Sequence, residues 1–531
     1  MRRRILAAAV TAAALALLTG CFPTGDNGPS PDDPNTLRVL AGSEVKDMVP
    51  ILQDAAAATG VNVLFTYTGT LAGTELVASG GAEGTYDATW FPNNRYLALL
   101  PGADKQIKTA TKIMTSPVVF GLRSSIAHQL GWDTVSPTWG EIAQAAAAGK
   151  FSYGMTNPSA SNSGFSALVA VATALSGTGS ALTTADIDAV TPAMTDFFSA
   201  QKLTAGSSGW LADRFVEDPT LVDGIINYES VLRGLQDQGE DLTIVIPSDG
   251  VVTSDYPLTL LSSADSNRAA AYQKLTAWLT TPEVQKRIAL EVHRRPGIPG
   301  IDTGDEFPSD VLFETPFPNT LEVANTLIAT YLDTARAPSQ AIFVLDTSGS
   351  MEGDRITELK TAVADLTGSD TSTQGSFTQF RGGERITLLP FSTTPGTPVI
   401  VDVPKSDTDA ALGQIRDEAN SLVADGDTAI YDSLHAAYRL AITQKQQRPD
   451  TFVSIVLMTD GENTVGWEPS DFEQYYNSLG AEAEGIPVFV VLFGNGDVDA
   501  LTHVADITGG QVFDALNGDL AKAFQEIRGY Q

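Results

Sequence analysis

From Leu37 onward the chain alternates between short apolar runs and stretches whose apolar residues recur every three or four positions. The first kind suits strands and the second suits helices, so the alternation predicts an α/β architecture. LRVLAG (37–42) is the first predicted strand, and VKDMVPILQDAAAATG (45–60) the first helix, closing on Gly60. VNVLFTYTGT (61–70) and YDATWFPN (86–93) read as strands, with a helix around Thr74 to Ser79 between them. In SPVVFGLRSSIAHQLGW (116–132) an apolar strand precedes a helix that ends at Gly131, and Thr138 with Glu141 forms a capping box for the next helix. A long helical stretch is expected from Ser266 to about Leu290.

From about Ser339 the strands become continuous apolar runs: AIFVLD, RITLLPFS, TPVIVDVP, FVSIVLMTD, PVFVVLFG and QVFDA. Such runs indicate a sheet covered on both faces. Helical stretches separate them, which predicts a doubly wound, Rossmann-like open sheet whose crevice lies at the carboxyl ends of the strands. The expected organisation is a leader over 1–20, a tether over 21–36, a first unit over 37–335 and a second over 339–531.

Composition adds limits. A chain of 531 residues is too long for one core. A formal charge of −32 repels a phosphate backbone, so nucleic acid is excluded as a partner. Arg2, Arg3 and Arg4 precede an apolar stretch from Ile5 to Leu18, which reads as an export signal too short to span a bilayer comfortably. Cys21 is the only cysteine, so no intrachain disulfide forms. Leu18-Thr19-Gly20-Cys21 resembles the lipobox of bacterial lipoproteins, which implies cleavage before Cys21, acylation of its thiol, and a cell-membrane location on the extracytoplasmic face. Phe22 to Thr36, rich in Pro, Gly and Asp, then reads as an extended tether.

The candidate chemistry of the second unit is oxygen ligation. Asp346, Ser348 and Ser350 follow its first strand, Thr428 opens a helix in DGDTAIYDSL, and Asp460 follows a central strand in MTDGEN. Carboxylates and hydroxyls without nitrogen or sulfur select hard divalent cations, Mg²⁺ first, with Mn²⁺ and Ca²⁺ also suited. Two carboxylates and small hydroxyls leave room for water or an incoming acid. In order and at strand ends, these segments resemble the von Willebrand factor type A domain and its metal-ion-dependent adhesion site. The resemblance implies that Asp346, Ser348 and Ser350 bind the ion directly or nearly so, that Thr428 and Asp460 bind directly or through water, and that a protein partner supplies an Asp or Glu.

In the first unit SPVVFGLR, GMTNPSASNSGFSAL, INYESVL and DYPLTLL occur in an order that resembles the type 2 solute-binding proteins of bacterial import systems. The resemblance implies two α/β lobes, one built from 37 to about 115 plus about 258–335 and the other from the insert between. It also implies crossover strands near Ser116–Val119 and Ser254–Leu258, with a small solute in the cleft. Polar residues placed to meet it are Ser43, Thr68, Thr70, Asn157, Ser161, Asn162, Ser163 and Tyr228. Serines and amides at helix N-termini suit anions.

Catalytic patterns fare badly. His128, His293, His435 and His503 are scattered outside any H-E-x-x-H, and neither G-x-S-x-G nor a P-loop occurs. The expectation is therefore a lipid-anchored binding protein rather than an enzyme. Alternatives are the receptor of an ABC-type importer regulated by its second domain, or an assembly factor for a protein client.

Overall fold

The computed structural model describes residues 29–307, 312–494, 496–515 and 520–531. The leader, Cys21 and part of the tether lie outside the described residues. In chain order the strands begin with β1 (Thr36–Ala41), β2 (Asn62–Tyr67), β3 (Ala88–Trp90), β4 (Ile107–Lys112), β5 (Met114–Arg123) and β6 (Tyr153–Thr156). They continue with β7 (Gln201–Ala205), β8 (Gly224–Tyr228), β9 (Leu242–Val245), β10 (Thr253–Ser254), β11 (Pro257–Leu261) and β12 (Arg295–Pro296). The second unit adds β13 (Ser339–Asp346), β14 (Arg385–Phe391), β15 (Val399–Asp402), β16 (Phe452–Thr459), β17 (Val488–Leu492) and β18 (Gln511–Asp514).

These strands build separate sheets. One has the order β2-β1-β3-β11-β4, and a second runs β10-β5-β8-β6-β7 with β9 and β12 also on β5. The chain passes from the first to the second at Ile113–Met114 and returns between Ser254 and Pro257. The first passage lies a little before the expected Ser116–Val119, which already belongs to the second sheet. A third tie was not foreseen: β12 pairs antiparallel with Thr115 and Met114 of β5. Tyr256, inside the return passage, has φ 39°, a left-handed backbone costly for a bulky residue and tolerated where the chain must turn sharply between sheets.

Local rules account for most element ends. The first α-helix, Val49–Thr59, has Pro50 in its opening turn and stops at Gly60 with φ 73°. The Thr138–Glu141 capping box forms. The helical stretch from Ser266 is in fact two helices, Ser266–Leu279 and Pro282–Glu291, because Pro282 starts a helix but disfavours helical backbone just before it. The helix expected around Thr74–Ser79 runs Thr70–Ala78.

The third sheet, β15-β14-β13-β16-β17-β18, is parallel except for the antiparallel edge strand β15. Every residue of β13 is buried, as its unbroken apolar run requires. Apolar clusters cover both faces of this sheet, one around Phe343, Ile415 and Phe524, the other around Leu434, Tyr438 and Phe472.

Residues 321–335 do not join the first lobe alone. The helix Leu321–Thr330 and the turn Tyr331–Ala335 lie against the helix Thr184–Phe198 of the second lobe as well as Arg95–Leu99 of the first. Their apolar residues Leu327, Ile328 and Tyr331 share one buried cluster with Phe165 and Phe198, which decides the placement.

Candidate functional site

At the carboxyl end of the third sheet, β13 delivers Asp346 fully buried. One carboxylate oxygen accepts from the Ser348 amide at 2.8 Å and the other from the Thr459 hydroxyl at 2.7 Å. The Ser348 and Ser350 hydroxyls lie 2.9 Å apart, and Ser350 donates to Asp460 at 2.8 Å. Burial raises the pKa of Asp346. Hydrogen bonds from Ser348 and Thr459 pull it back, and the neighbouring charge of Asp460 raises it further.

The Thr428 loop lies against the same place. Gly349 donates to the Gly426 carbonyl at 2.9 Å and Asp425 to the Thr347 carbonyl at 2.8 Å. Among the described residues, the hydrogen bonds that hold Thr428 use its backbone: its amide donates to Thr464, and its carbonyl accepts from Thr464 and Val465. Asn463, beside Asp460 in sequence, accepts from the Ile430 amide at 2.9 Å. Thus the structure connects Asp346, Ser348, Ser350 and Asp460 by hydrogen bonds and lays the loop that carries Thr428 against them through Gly426 and Asp425. Behind this crevice the chain passes so close that a side chain at Gly494 would reach within 2.0 Å of the Asp460 carbonyl.

Two features were not legible in the sequence. Arg355 ion-pairs with the second oxygen of Asp460 and reaches the Ser350 carbonyl at 3.3 Å. Asp432 accepts from the Trp467 amide at 2.7 Å, so it fastens the loop that carries Asp460. Among the described residues no three His, Cys, Asp or Glu gather as a metal-binding group. The ligand set here is two carboxylates completed by hydroxyls, and it fits a hard oxygen-seeking cation. Such an ion would relieve the repulsion between two carboxylates joined through Ser348 and Ser350.

In the inter-lobe cleft several of the polar residues expected to meet a solute are hydrogen-bonded to neighbouring side chains. Ser163 bonds Thr156 at 2.8 Å and Ser208 at 3.1 Å, and Ser161 lies 3.2 Å from Ser163. Asn162 donates to Tyr228 at 3.0 Å and to Ser254 at 3.1 Å while accepting from Asn93 across the cleft at 2.8 Å. Asn157 holds its own loop through Ser159 and donates to the Arg528 carbonyl of the other unit at 3.3 Å. These side chains engage one another. Ser43 opens a short turn after β1, Thr68 bonds β1 through its backbone, and Thr70 is buried at a helix start.

Charged groups at the hinge end carry more tension. Arg294, fully buried, pairs with Asp47 at 2.5 Å, donates to the Glu44 carbonyl at 2.7 Å, and lies 4.9 Å over the Tyr256 ring. A buried oxygen of Glu44 has no hydrogen-bond partner among the described residues. Burial pushes the Glu44 carboxyl up to about 7, against opposing pulls from its own backbone and Arg294. Glu44 gave no sequence signal of its own; the arginine that meets its backbone carbonyl lies some 250 positions away.

Two lobes around a cleft, followed by a doubly wound sheet with an oxygen-lined crevice, define a two-module α/β protein. The chain belongs to the bacterial extracellular solute-binding proteins, whose family profile matches residues 26–315. It also carries a von Willebrand factor type A domain, matched over residues 342–527. Among solved structures it is similar to the periplasmic binding protein AfuA from Actinobacillus pleuropneumoniae, at 11% identity, covering 56% of this chain and 98% of that one, TM-score 0.45. The sulfate-binding protein SubI from Mycobacterium tuberculosis H37Rv shares 20% identity, covering 55% and 96%, TM-score 0.42. A von Willebrand factor type A protein from Catenulispora acidiphila shares 19%, covering 37% and 43%, TM-score 0.28. No curated protein matches the chain. Among the described residues no helix is long and apolar enough to cross a membrane.

Proposed function

We propose that this is a lipid-anchored extracytoplasmic protein that acts by binding rather than catalysis. Cys21 carries the acyl chains that hold it on the cell membrane. The von Willebrand-type domain takes Mg²⁺, with Mn²⁺ or Ca²⁺ as substitutes, at Asp346, Ser348, Ser350, Thr428 and Asp460. The bound cation supplies an electrophilic position for an Asp or Glu of a protein partner. The observation that carries this reading is the meeting of two carboxylates and small hydroxyls from separate loops, with Asp346 and Asp460 joined in series through Ser348 and Ser350. Affinity capture from cell surfaces with and without Mg²⁺, using the intact protein and Asp346→Ala, tests it. Partner recovery should depend on both the ion and Asp346; recovery unchanged by chelator and by the substitution would exclude adhesion through this crevice.

A second reading, a receptor that delivers a small solute to a permease, is favoured by the solute-binding profile over residues 26–315. Its test is a screen of metabolites and oxyanions for a rise in melting temperature by mass action. No shift across the screen would remove it.

A further inference from the structure

Hinge-bending receptors open and close about a few residues that absorb the motion. This cleft is spanned by an apolar seam and by a third element. Tyr96 of the first lobe packs edge-on against Phe165 of the second at 5.8 Å, and Phe165 packs against Phe317 at 5.4 Å. Phe317 belongs to the segment that leads into the von Willebrand-type domain.

That segment holds both lobes. Glu314 pairs with Arg95 of the first lobe at 2.6 Å and accepts from the Thr253 amide at the hinge at 3.1 Å. Its neighbours exchange backbone hydrogen bonds with Val251 at 2.8 Å. Asn325 accepts from Tyr96 of the first lobe at 3.0 Å. Six residues further on, Tyr331 donates to Gln201 of the second lobe at 3.2 Å and packs its ring on Phe198 at 4.9 Å.

The far end of the segment is fixed in turn. Only residues 336–338 separate its last turn from β13. Arg336 pairs with Glu384 at 2.9 Å, and Asp333 pairs with Arg381 at 2.6 Å. Trp210 of the second lobe packs on Tyr530 at 4.9 Å, while Phe377 joins the apolar cluster of the lobes.

We infer that residues 312–335 are a clasp that holds the lobes closed, and that the cleft exchanges its contents only when the von Willebrand-type domain lets the clasp move. Its purpose rests on the solute reading above, but its geometry does not, so it is tested on lobe motion alone. In the full chain carrying Cys21→Ser, spin labels at Ala58→Cys and Ala185→Cys report the inter-lobe distance by pulsed electron resonance. The parent chain should give one narrow distance. Glu314→Ala with Asn325→Ala should add a second, longer population, and so should Phe317→Ser. The polar double variant alters part-exposed side chains, so it remains the test if Phe317→Ser does not fold. A parent chain that already populates two distances, or a polar double variant that keeps the single parental one, overturns the clasp. Failure of every solute to bind would leave these distances unaffected and would count against the solute reading only.

Discussion

Arg355 and Ser350 divide the carboxylate of Asp460 between them: the guanidinium takes one oxygen and the serine hydroxyl the other, at 2.8 Å. A cation entering the crevice must therefore compete with a positive charge supplied by the chain itself. Arg355 is part-exposed, at 40%, and such pairs contribute about 0.2–1 kcal/mol.

Replacing Arg355 by Gln should consequently tighten Mg²⁺ binding by up to about fivefold, the equivalent of that pair energy. Titration calorimetry on the full chain measures it. Equal or weaker affinity in the variant would show that the arginine does not oppose the ion.

Asp346→Asn should abolish the rise in melting temperature that Mg²⁺ produces in the parent, since the amide removes one of two charges that attract the ion. In chelator the same variant should melt no lower than the parent. A buried carboxylate facing a second one is costly, and a neutral isostere of equal size relieves that cost. Scanning calorimetry in both conditions separates the two effects.

Glu44 makes stability depend on pH. Its carboxyl is raised from 4.5 to about 7 by burial, so between these values the folded state holds a proton that the unfolded state has released. Stability then falls as pH rises from about 4.5 to about 7 and is flat in this contribution above, with a total effect on the order of 1–3 kcal/mol. Urea unfolding at pH 5 and pH 8 should show a smaller difference in Glu44→Gln than in the parent. An identical difference in both would refute the assignment.

Glu384 is the counter-charge for a buried basic cluster. Arg528 donates to both its oxygens at 2.9 Å, and Arg336 to one at 2.9 Å. Burial pushes its carboxyl up, but Arg528 and Arg336 more than offset this and hold it below the usual range. The stability it provides is present above the unfolded-state pKa and is lost as pH falls through the lower folded one. Glu384→Gln leaves two buried guanidinium groups without their partner and should cost about 3–5 kcal/mol in urea unfolding at neutral pH.

The crevice was the most legible feature because its parts are local. DTSGS and TDGEN each announce a strand end by an abrupt change from apolar to small polar residues, and DGDT announces the start of a helix. Ser161, Asn162 and Ser163 are local in the same sense. They look like ligand donors in sequence, yet Thr156, Ser208, Tyr228, Ser254 and Asn93 fold in to satisfy them. Residues 321–335 gave no hint of which lobe they would join, since an amphipathic helix records that it has a buried face and not what covers it.

By itself the sequence determined the alternation of strands and helices in outline, the doubly wound character of the second unit, and the oxygen-bearing loops of DTSGS and TDGEN at its strand ends. These follow from periodicity and turn chemistry within a few residues. Only the tertiary structure decided that Arg355 meets Asp460 across 105 positions, that one Glu44 oxygen is buried without a partner among the described residues, and that one segment grips both lobes. Such relations depend on where distant surfaces come to rest in close packing, and no local pattern encodes that.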